Sequence, residues 1–176
     1  AMGGGVLHWL GVHDIDVLHW LAGEPIVEVQ AMAGTVGGDG ITVEDTISMA
    51  VRYASGAMGT VHYAYALPRP GGEGYLALRG THGSIRLQPD GTLTVIGPSE
   101  VTEPLLSQQT TYETAKLPGY GAVGATIVDD LLRAIAEDRD PLATGEHVTA
   151  ALRVIDAAYE SARTGTRVRV KRTTRS

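Results

Sequence analysis

The sequence predicts an α+β domain in which helices pack on one face of an open, mostly antiparallel β-sheet. Three observations lead to this fold class. Apolar residues recur every three or four positions near both ends of the chain, which indicates helices. Between about residues 26 and 96 they instead alternate with polar residues, which indicates strands. The turns between the later strands are too short for a parallel crossover, so these strands must run antiparallel.

The first helix is predicted from about Val12 to Ala22, with Ile15 on its apolar side. It ends at Gly23, because a glycine followed closely by Pro25 is a helix stop. Six strands are predicted next, at about residues 27–33, 46–53, 57–66, 75–79, 84–88 and 92–96. Short glycine-containing turns at 80–83 and 89–91 separate the last three strands, which is typical of β-hairpins.

Two helices and a short strand complete the predicted fold. The first of these helices carries an apolar stripe formed by Val123, Ile127, Val128, Leu131, Leu132 and Ile135. The second begins after Thr144, whose side chain suits a helix N-cap, and ends at Gly165. Its predicted buried side consists of Val148, Leu152, Ile155, Ala158 and Tyr159. Arginines then alternate with Val168 and Val170, which predicts a final strand with one charged face.

The composition fits a single domain over residues 1–176 and excludes several classes of protein. Hydrophobic residues make up 43% of the chain and charged residues 19%, which is ordinary usage for a folded domain. The chain has no cysteine, so disulfides, thiolate metal sites and a cysteine nucleophile are excluded. The net charge of −6 disfavours nucleic-acid binding, which needs a basic surface.

The location of the protein is inferred from two further features. No apolar run approaches the roughly 20 residues that a bilayer-spanning helix needs, so no membrane association is expected. The first residues lack the basic and apolar regions of a signal peptide, so we expect a cytoplasmic protein. Gly3, Gly4 and Gly5 lead at once into an apolar segment, and we expect the chain to be a fragment of a longer protein.

A glycine motif at residues 119–124, GYGAVG, matches the G-x-G-x-x-G pattern of dinucleotide-binding sites. That chemistry requires a buried strand directly before the motif, so that backbone N–H groups are aimed at a pyrophosphate. The preceding residues 113–118, ETAKLP, are polar and end in proline. The motif is therefore interpreted as a loop that leads into a helix, and no cofactor-binding residue is assigned to this chain.

Residues that could carry chemistry are concentrated near the start of the chain. His13 lies at the start of the predicted helix, where the helix dipole favours the neutral imidazole that exchanges protons near neutral pH. Asp16, three residues later, could orient the ring. Two interpretations stay open, a catalytic histidine and a structural histidine that caps the helix or packs in the core. A metal site from His8, His13, Asp16 and His19 is disfavoured, since no two histidines have the i,i+4 spacing.

Three segments resemble one known family. Residues 3–16, GGGVLHWLGVHDID, with WLAGEP at 20–25, resemble the opening of the second domain of the glucose–fructose oxidoreductase and inositol dehydrogenase family, Gfo/Idh/MocA. GTHGSI at 80–85 and AAYESARTG at 157–165 also resemble that family. The three segments occur in the family's order and span nearly the whole chain.

This resemblance implies a function and a set of partners. The fold would be the family's dihydrodipicolinate-reductase-like C-terminal domain, which binds substrate and pairs subunits through its sheet. The full-length protein would be an NAD- or NADP-dependent dehydrogenase of a sugar, an inositol or a related polyol. Its N-terminal Rossmann domain, absent from this chain, would hold the cofactor and supply a catalytic lysine. We therefore expect this chain alone to bind no cofactor, and to form a homodimer or higher homo-oligomer.

The resemblance also implies site residues. His13 matches the family's catalytic histidine, and the expected substrate-binding residues are Trp9, Gly11 and Asp16. The family's catalytic aspartate, four residues before the histidine, falls on Trp9, which cannot relay a proton. Trp9 could stack on the apolar face of a sugar or belong to the core. Gly11 would leave room for a ligand beside the backbone. The departure at Trp9 keeps a second hypothesis open, a non-catalytic scaffold or sugar-binding module of the same fold.

Overall fold

A computed structural model describes residues 4–37, 40–65, 74–88, 92–97 and 121–171, without the side chains of 121–123. The chain divides into two compact units, which are described separately. The first unit comprises Ala1–Leu67 and Leu142–Ser176, and the second comprises Pro68–Pro141. The glycine motif at 119–124 begins outside the described residues, and its Gly121 is the first residue of a helix.

The helices and strands follow one another largely as predicted. A π-helical turn, Leu7–Gly11, precedes α1 (Val12–Ala22), β1 (Ile26–Gly34), β2 (Thr46–Tyr53), β3 (Met58–Ala64), β4 (Leu76–Gly80), β5 (Gly83–Leu87), β6 (Leu93–Ile96), α2 (Gly121–Glu137), α3 (Gly145–Thr164) and β7 (Val168–Arg169). The side chain of Thr144 caps α3 as predicted, accepting the His147 N–H at 3.4 Å. Gly165, in the left-handed conformation, ends this helix.

The first unit is a four-stranded antiparallel sheet in the order β3-β2-β1-β7, with the helical elements on one face. Alternation along β2 places Ile47, Met49 and Val51 in the core. Ile47 lies opposite Tyr63 and Met49 opposite Val61 on β3, so the two strands share one apolar face towards the core. The core is completed by Val6, Leu7 and Ile15 of the N-terminal helical segment and by side chains of α3.

The buried face of α3 differs from the prediction. Val148 and Leu152 are 51% and 36% exposed, so their assignment to the core is wrong, although Ile155 and Ala158 are buried as predicted. The buried positions are Ala151, Val154, Ile155, Ala157, Ala158 and Ser161. Small side chains on this face let the helix backbone lie close to β1, whereas the prediction followed the larger apolar residues.

Ser161 completes the hydrogen bonding of the sheet. β7 pairs with β1 only at Glu28 and Val29, so the backbone N–H of Ala31 lies beyond its reach. The Ala31 N–H donates instead to Ser161 Oγ at 2.9 Å, and that hydroxyl donates to the Thr166 carbonyl at 2.6 Å. A buried serine therefore replaces a ladder partner that the short strand does not supply.

The second unit contains the antiparallel meander β4-β5-β6 and helix α2. The predicted strand positions are confirmed to within one residue at each described end. Gly83 has a φ of +144°, and a Cβ there would lie 2.2 Å from the Ile96 carbonyl oxygen, so only glycine fits this turn. On α2, the apolar side chains from Ile127 to Ile135 are largely exposed. None of the described helices is long and apolar enough to cross a membrane.

Candidate functional site

The helical segment that carries His13 begins earlier than predicted, at Val6, and Glu44 caps its start. The backbone N–H of Val6 donates to the Glu44 carbonyl oxygen at 3.0 Å. The N–H of Leu7 donates to Glu44 Oε1 at 3.2 Å. Because the first N–H groups of a helix have no partner within it, a carboxylate there satisfies a donor and interacts favourably with the helix dipole.

The described glycines of the GGG motif are explained by this cap. A Cβ on Gly5 would lie 2.0 Å from the Glu44 carbonyl oxygen and 2.1 Å from its Oε2. Gly4 has a φ of +88°, and a Cβ there would lie 2.5 Å from the Cβ of His8. The motif therefore permits close approach of the glutamate and the histidine to the backbone, a role that needs no ligand.

Tyr159 on α3 joins this cap to the core. Its hydroxyl donates to Glu44 Oε1 at 2.6 Å, and its ring stacks on the His8 ring with centroids 5.6 Å apart. Burial, and next the hydrogen bond to Glu44, raise the pKa of Tyr159 well above its usual value. The Nδ1 atom of His8 is buried without a hydrogen-bond partner in the described part of the chain.

A second pair, Tyr63 and Asp14, fixes the same helix to the sheet. The Tyr63 hydroxyl on β3 donates a short hydrogen bond to Oδ2 of Asp14, the residue after His13. Burial of Tyr63, and next its bond to the Asp14 carboxylate, raise the pKa of this phenol far above its usual value. A Cβ on Gly11 would lie 2.5 Å from Leu7 and 3.2 Å from the Tyr63 ring. The space beside Gly11 is thus filled by protein, and its predicted role beside a ligand remains a prediction.

His13 and Trp9 lie on the exposed side of the helical segment, about one turn apart. Trp9 is 62% exposed, so the alternative of a core tryptophan is wrong. His13 is also exposed, and the N-cap of α1 is Gly11, so a capping or core histidine is not supported either. The helical backbone already runs from Val6, so His13 does not lie at a free helix N-terminus, where a helix dipole would act on it.

Asp16 is exposed and makes no hydrogen bond to His13 in the described structure, so its role in orienting that ring stays a prediction. The Asp16 charge acts on His19, where it partly offsets the burial that lowers the pKa of His19. The Ile26 N–H donates to Nε2 of His19 at 3.3 Å, which ties the end of α1 to β1. Within the described ranges, no group of three histidine or carboxylate side chains is arranged to hold a metal ion.

Sequence reasoning missed Glu44, Tyr63 and Tyr159 as residues of this site. A run of glycines indicates that something approaches the backbone closely, and this was the available signal for Glu44. Nothing in the spacing identifies the approaching residue, since Leu7 and Glu44 are 37 positions apart. Tyr63 lies on the apolar side of a strand and Tyr159 on the apolar side of a helix, as core aromatics do, and their hydrogen bonds depend on tertiary packing.

Comparison with known families agrees with this fold. Residues 1–170 match an oxidoreductase family, specifically its C-terminal alpha/beta domain. The match covers both compact units and all the site residues described above.

Solved structures give the same result. The WlbA dehydrogenase from Bordetella pertussis, in complex with NADH and UDP-GlcNAcA, is 25% identical with a TM-score of 0.73, over 97% of this chain and 46% of that one. The WlbA dehydrogenase from Chromobacterium violaceum, with the same two ligands, is 28% identical with a TM-score of 0.74, over 97% and 47%. An aldose-aldose oxidoreductase from Caulobacter crescentus, complexed with glycerol, is 27% identical with a TM-score of 0.73, over 95% and 48%. The chain spans less than half the length of each of these proteins.

Proposed function

The chain belongs to the Gfo/Idh/MocA oxidoreductase family as its C-terminal alpha/beta domain, and from this premise we propose that it is the substrate-binding and dimerisation domain of an NAD(P)-dependent dehydrogenase. The proposed substrate is a sugar, an inositol or a related polyol. The observation that carries the proposal is that His13 is exposed on a helical segment whose position is fixed by two contacts. Glu44 binds the start of this segment at Leu7, and Tyr63 binds it at Asp14.

His13 supplies the proton chemistry in this proposal. A substrate hydroxyl that becomes a carbonyl must lose its proton, and an imidazole is the side chain best suited to accept it near neutral pH. Trp9, exposed about one turn earlier, offers an apolar ring face for the C–H groups of a sugar. Together the two side chains provide a proton acceptor and a stacking surface on one side of the helix.

The described residues do not fit the dinucleotide itself. Every described strand pair is antiparallel, whereas a dinucleotide is held where a parallel βαβ unit aims a helix N-terminus at its pyrophosphate. We therefore assign the cofactor, NAD or NADP, to another domain of the whole protein.

Three relatives support the substrate class. Both WlbA dehydrogenases are in complex with NADH and a sugar nucleotide, and the Caulobacter protein acts on aldoses according to its name and is complexed with glycerol. Their identities of 25% to 28% to this chain justify a shared substrate class of hydroxyl-rich molecules.

The dimerisation role rests on the sheet face that points away from the helices. One row of this face is charged, with Glu28 paired to Arg52 and Arg169. The exposed side chains beyond that row, Ser48, Ala50, Thr60 and His62, are small or mildly polar, and Met32 and Met58 are 79% and 74% exposed. Such a face can pack against its symmetric copy. Light scattering at tens of micromolar tests this role, and a dimer that Ala50→Arg dissociates is the expected result. A wild-type monomer at that concentration would contradict it.

Substitution of His13 tests the catalytic role in the full-length enzyme. His13→Ala is expected to lower kcat about 10²- to 10⁴-fold while the fold and the cofactor affinity persist. His147→Ala, at an exposed position on α3, is the matched control and should leave kcat unchanged. An unchanged kcat for His13→Ala across the pH range would remove His13 from the mechanism.

The second candidate function is a sugar-binding module without catalysis. The observation that favours it is Trp9, an exposed ring at the position where the resembled family carries its catalytic aspartate. This candidate predicts sugar binding that Trp9→Ala weakens, with no turnover in the full-length protein. Calorimetric titration with sugars, combined with an assay of NAD(P)H formation, separates the two functions.

A further inference from the structure

The Asp14 carboxylate is exposed to solvent and yet held in place. Its Oδ2 accepts the Tyr63 hydroxyl in a short hydrogen bond. Its Oδ1 has no hydrogen-bond partner among the described residues. An exposed acid on a helix usually samples several rotamers, since ordering a surface side chain costs conformational entropy. The hydrogen bond from Tyr63 already orders the Asp14 side chain in the folded protein, and Oδ1 can still accept a hydrogen bond.

From this arrangement we propose that Asp14 is a substrate-binding residue of the site built around His13, where its carboxylate accepts a hydrogen bond from a hydroxyl group of the polyol. Tyr63 is the positioning residue that orients this carboxylate. The inference rests on the proposed function and deepens it, because it assigns a hydroxyl-specific contact to a residue for which the expected site had no role.

Rigidity of the pair follows from where Tyr63 lies. The residue sits on β3 opposite the buried Ile47, and its ring packs against the backbone at Gly11. The phenol is therefore fixed both by the sheet and by the helical segment that it contacts. An acceptor held in this way binds a ligand with less loss of freedom than a mobile carboxylate would.

The chemistry of the pair fits a hydroxyl group better than an anion or an apolar group. An ionised carboxylate only accepts hydrogen bonds, and one phenol uses a small part of its acceptor capacity. Sugar and polyol hydroxyls are donors, and a bond to an ionised acceptor is stronger than a neutral one. Asp14 directly follows His13 in the first turn of α1. Because neighbouring helix side chains diverge by about 100°, the proposal requires a polyol long enough to contact both residues with different hydroxyl groups.

Steady-state kinetics of the full-length enzyme test the proposal, using the best substrate found in a panel of aldoses and inositols. Asp14→Asn is expected to raise KM about 10- to 100-fold, the value of one hydrogen bond to a charged group, with a smaller change in kcat. Tyr63→Phe keeps the ring against Gly11 and should raise KM in the same direction by less. Because Tyr63 acts through Asp14, adding Tyr63→Phe to Asp14→Asn should change KM little further.

Monodeoxy derivatives of that substrate identify the hydroxyl. The wild-type enzyme should bind one of these derivatives more weakly than it binds the parent substrate. For that derivative, the Asp14→Asn enzyme should have the same affinity as the wild-type enzyme. The controls are Asp156→Asn and Tyr65→Phe, both at exposed positions outside the site. If the Asp14→Asn enzyme is active and its KM is within twofold of the wild-type value, the role of Asp14 is overturned while the proposed function stands. A wild-type enzyme that is inactive on the whole panel overturns the proposed function and this inference with it.

Discussion

The hydroxyl of Tyr159 donates a hydrogen bond of 2.6 Å to Oε1 of Glu44, a residue 115 positions away in the chain. The same oxygen accepts the backbone N–H of Leu7, the first residue of the π-helical turn. One carboxylate therefore connects the last long helix of the first unit to the start of the helix that presents His13. The geometry of the candidate site thus depends on a residue that lies in neither helix.

Removal of the Glu44 side chain should destabilise the first unit. Glu44→Ala leaves the Leu7 N–H without its capping partner and the half-buried Tyr159 hydroxyl without an acceptor. The expected loss is about 2 kcal/mol from the free energy of unfolding, which corresponds to a decrease in Tm of about 4–8 °C. Glu44→Gln keeps an acceptor oxygen and should lose less. Urea denaturation measures both, with the exposed Glu160→Ala as a control that should be near neutral.

The sequence predicts the parts of this fold that depend on neighbouring residues, and it does not predict the parts that depend on residues far apart in the chain. Alternation placed β2 correctly because Ile47, Met49 and Val51 face the core by the geometry of a strand alone. The true start of the first helical segment at Val6 depends on Glu44, and a local pattern carries no information about that contact. The π-helical turn at Leu7–Gly11 was missed for the same reason.

The candidate site was predictable in its residue types and only partly in its contacts. The GVHD segment at 11–14 marked the position of His13, which the structure places at an exposed site on a helix. Asp16 was assigned as the neighbouring carboxylate from helical spacing, but the carboxylate that the fold fixes is Asp14. Tyr63, which lies on β3, determines that Asp14 and not Asp16 is the fixed carboxylate. A period of three or four residues cannot distinguish between the two acids.

A methyl group at Gly5 should prevent the Glu44 cap from forming. In Gly5→Ala the new Cβ would lie about 2 Å from two oxygens of Glu44, far inside contact distance, so the glutamate or the helix start must move. We expect lower stability than in Glu44→Ala, because backbone atoms are displaced as well. Gly145→Ala is the matched control, because it also replaces a glycine near the start of a helix. A Cβ at that position meets nothing within 4 Å. Thermal unfolding of both variants compares them, and equal Tm values would contradict this explanation of the motif.

Asp45 should make stability depend on pH in the acid range. This carboxylate is fully buried and accepts the N–H groups of Val36 at 2.8 Å and Gly37 at 2.6 Å. These backbone bonds, the Val36 bond first, lower the pKa of Asp45 below the usual aspartate value of 3.8. A lowered folded-state pKa gives stability that is complete above the unfolded-state pKa and is lost as the pH falls through the folded-state value.

The variant Asp45→Asn tests that pH dependence. Its amide cannot accept both backbone N–H groups with the strength of a carboxylate, so it should be less stable than wild type at pH 7. The difference in unfolding free energy should begin to shrink as the pH falls below about 4, because the Asp45 carboxyl of the unfolded wild-type chain then binds a proton that the folded carboxyl, with its lower pKa, does not. Urea denaturation from pH 7 to pH 3 measures this difference. Exposed Asp156→Asn should show no such convergence, and a pH-independent difference for Asp45→Asn would contradict the argument.

The titration of Tyr63 reports directly on its bond to Asp14. Burial, the hydrogen bond to Asp14 and the Asp14 charge all raise the pKa of Tyr63. In Asp14→Asn the charge is lost, and the Tyr63 hydroxyl can donate only to a neutral amide oxygen, which is a weaker acceptor. The pKa of Tyr63 should therefore fall in that variant but remain above the usual tyrosine value, because the burial persists. NMR of ¹³Cζ-labelled tyrosine measures the change, with the Tyr63 signal assigned through Tyr63→Phe. Tyr53, whose pKa is raised by burial and by Glu24, serves as an internal reference that should not move. Asp16→Asn should leave Tyr63 unchanged, and a larger shift in that variant than in Asp14→Asn would show that the fixed carboxylate is Asp16 after all.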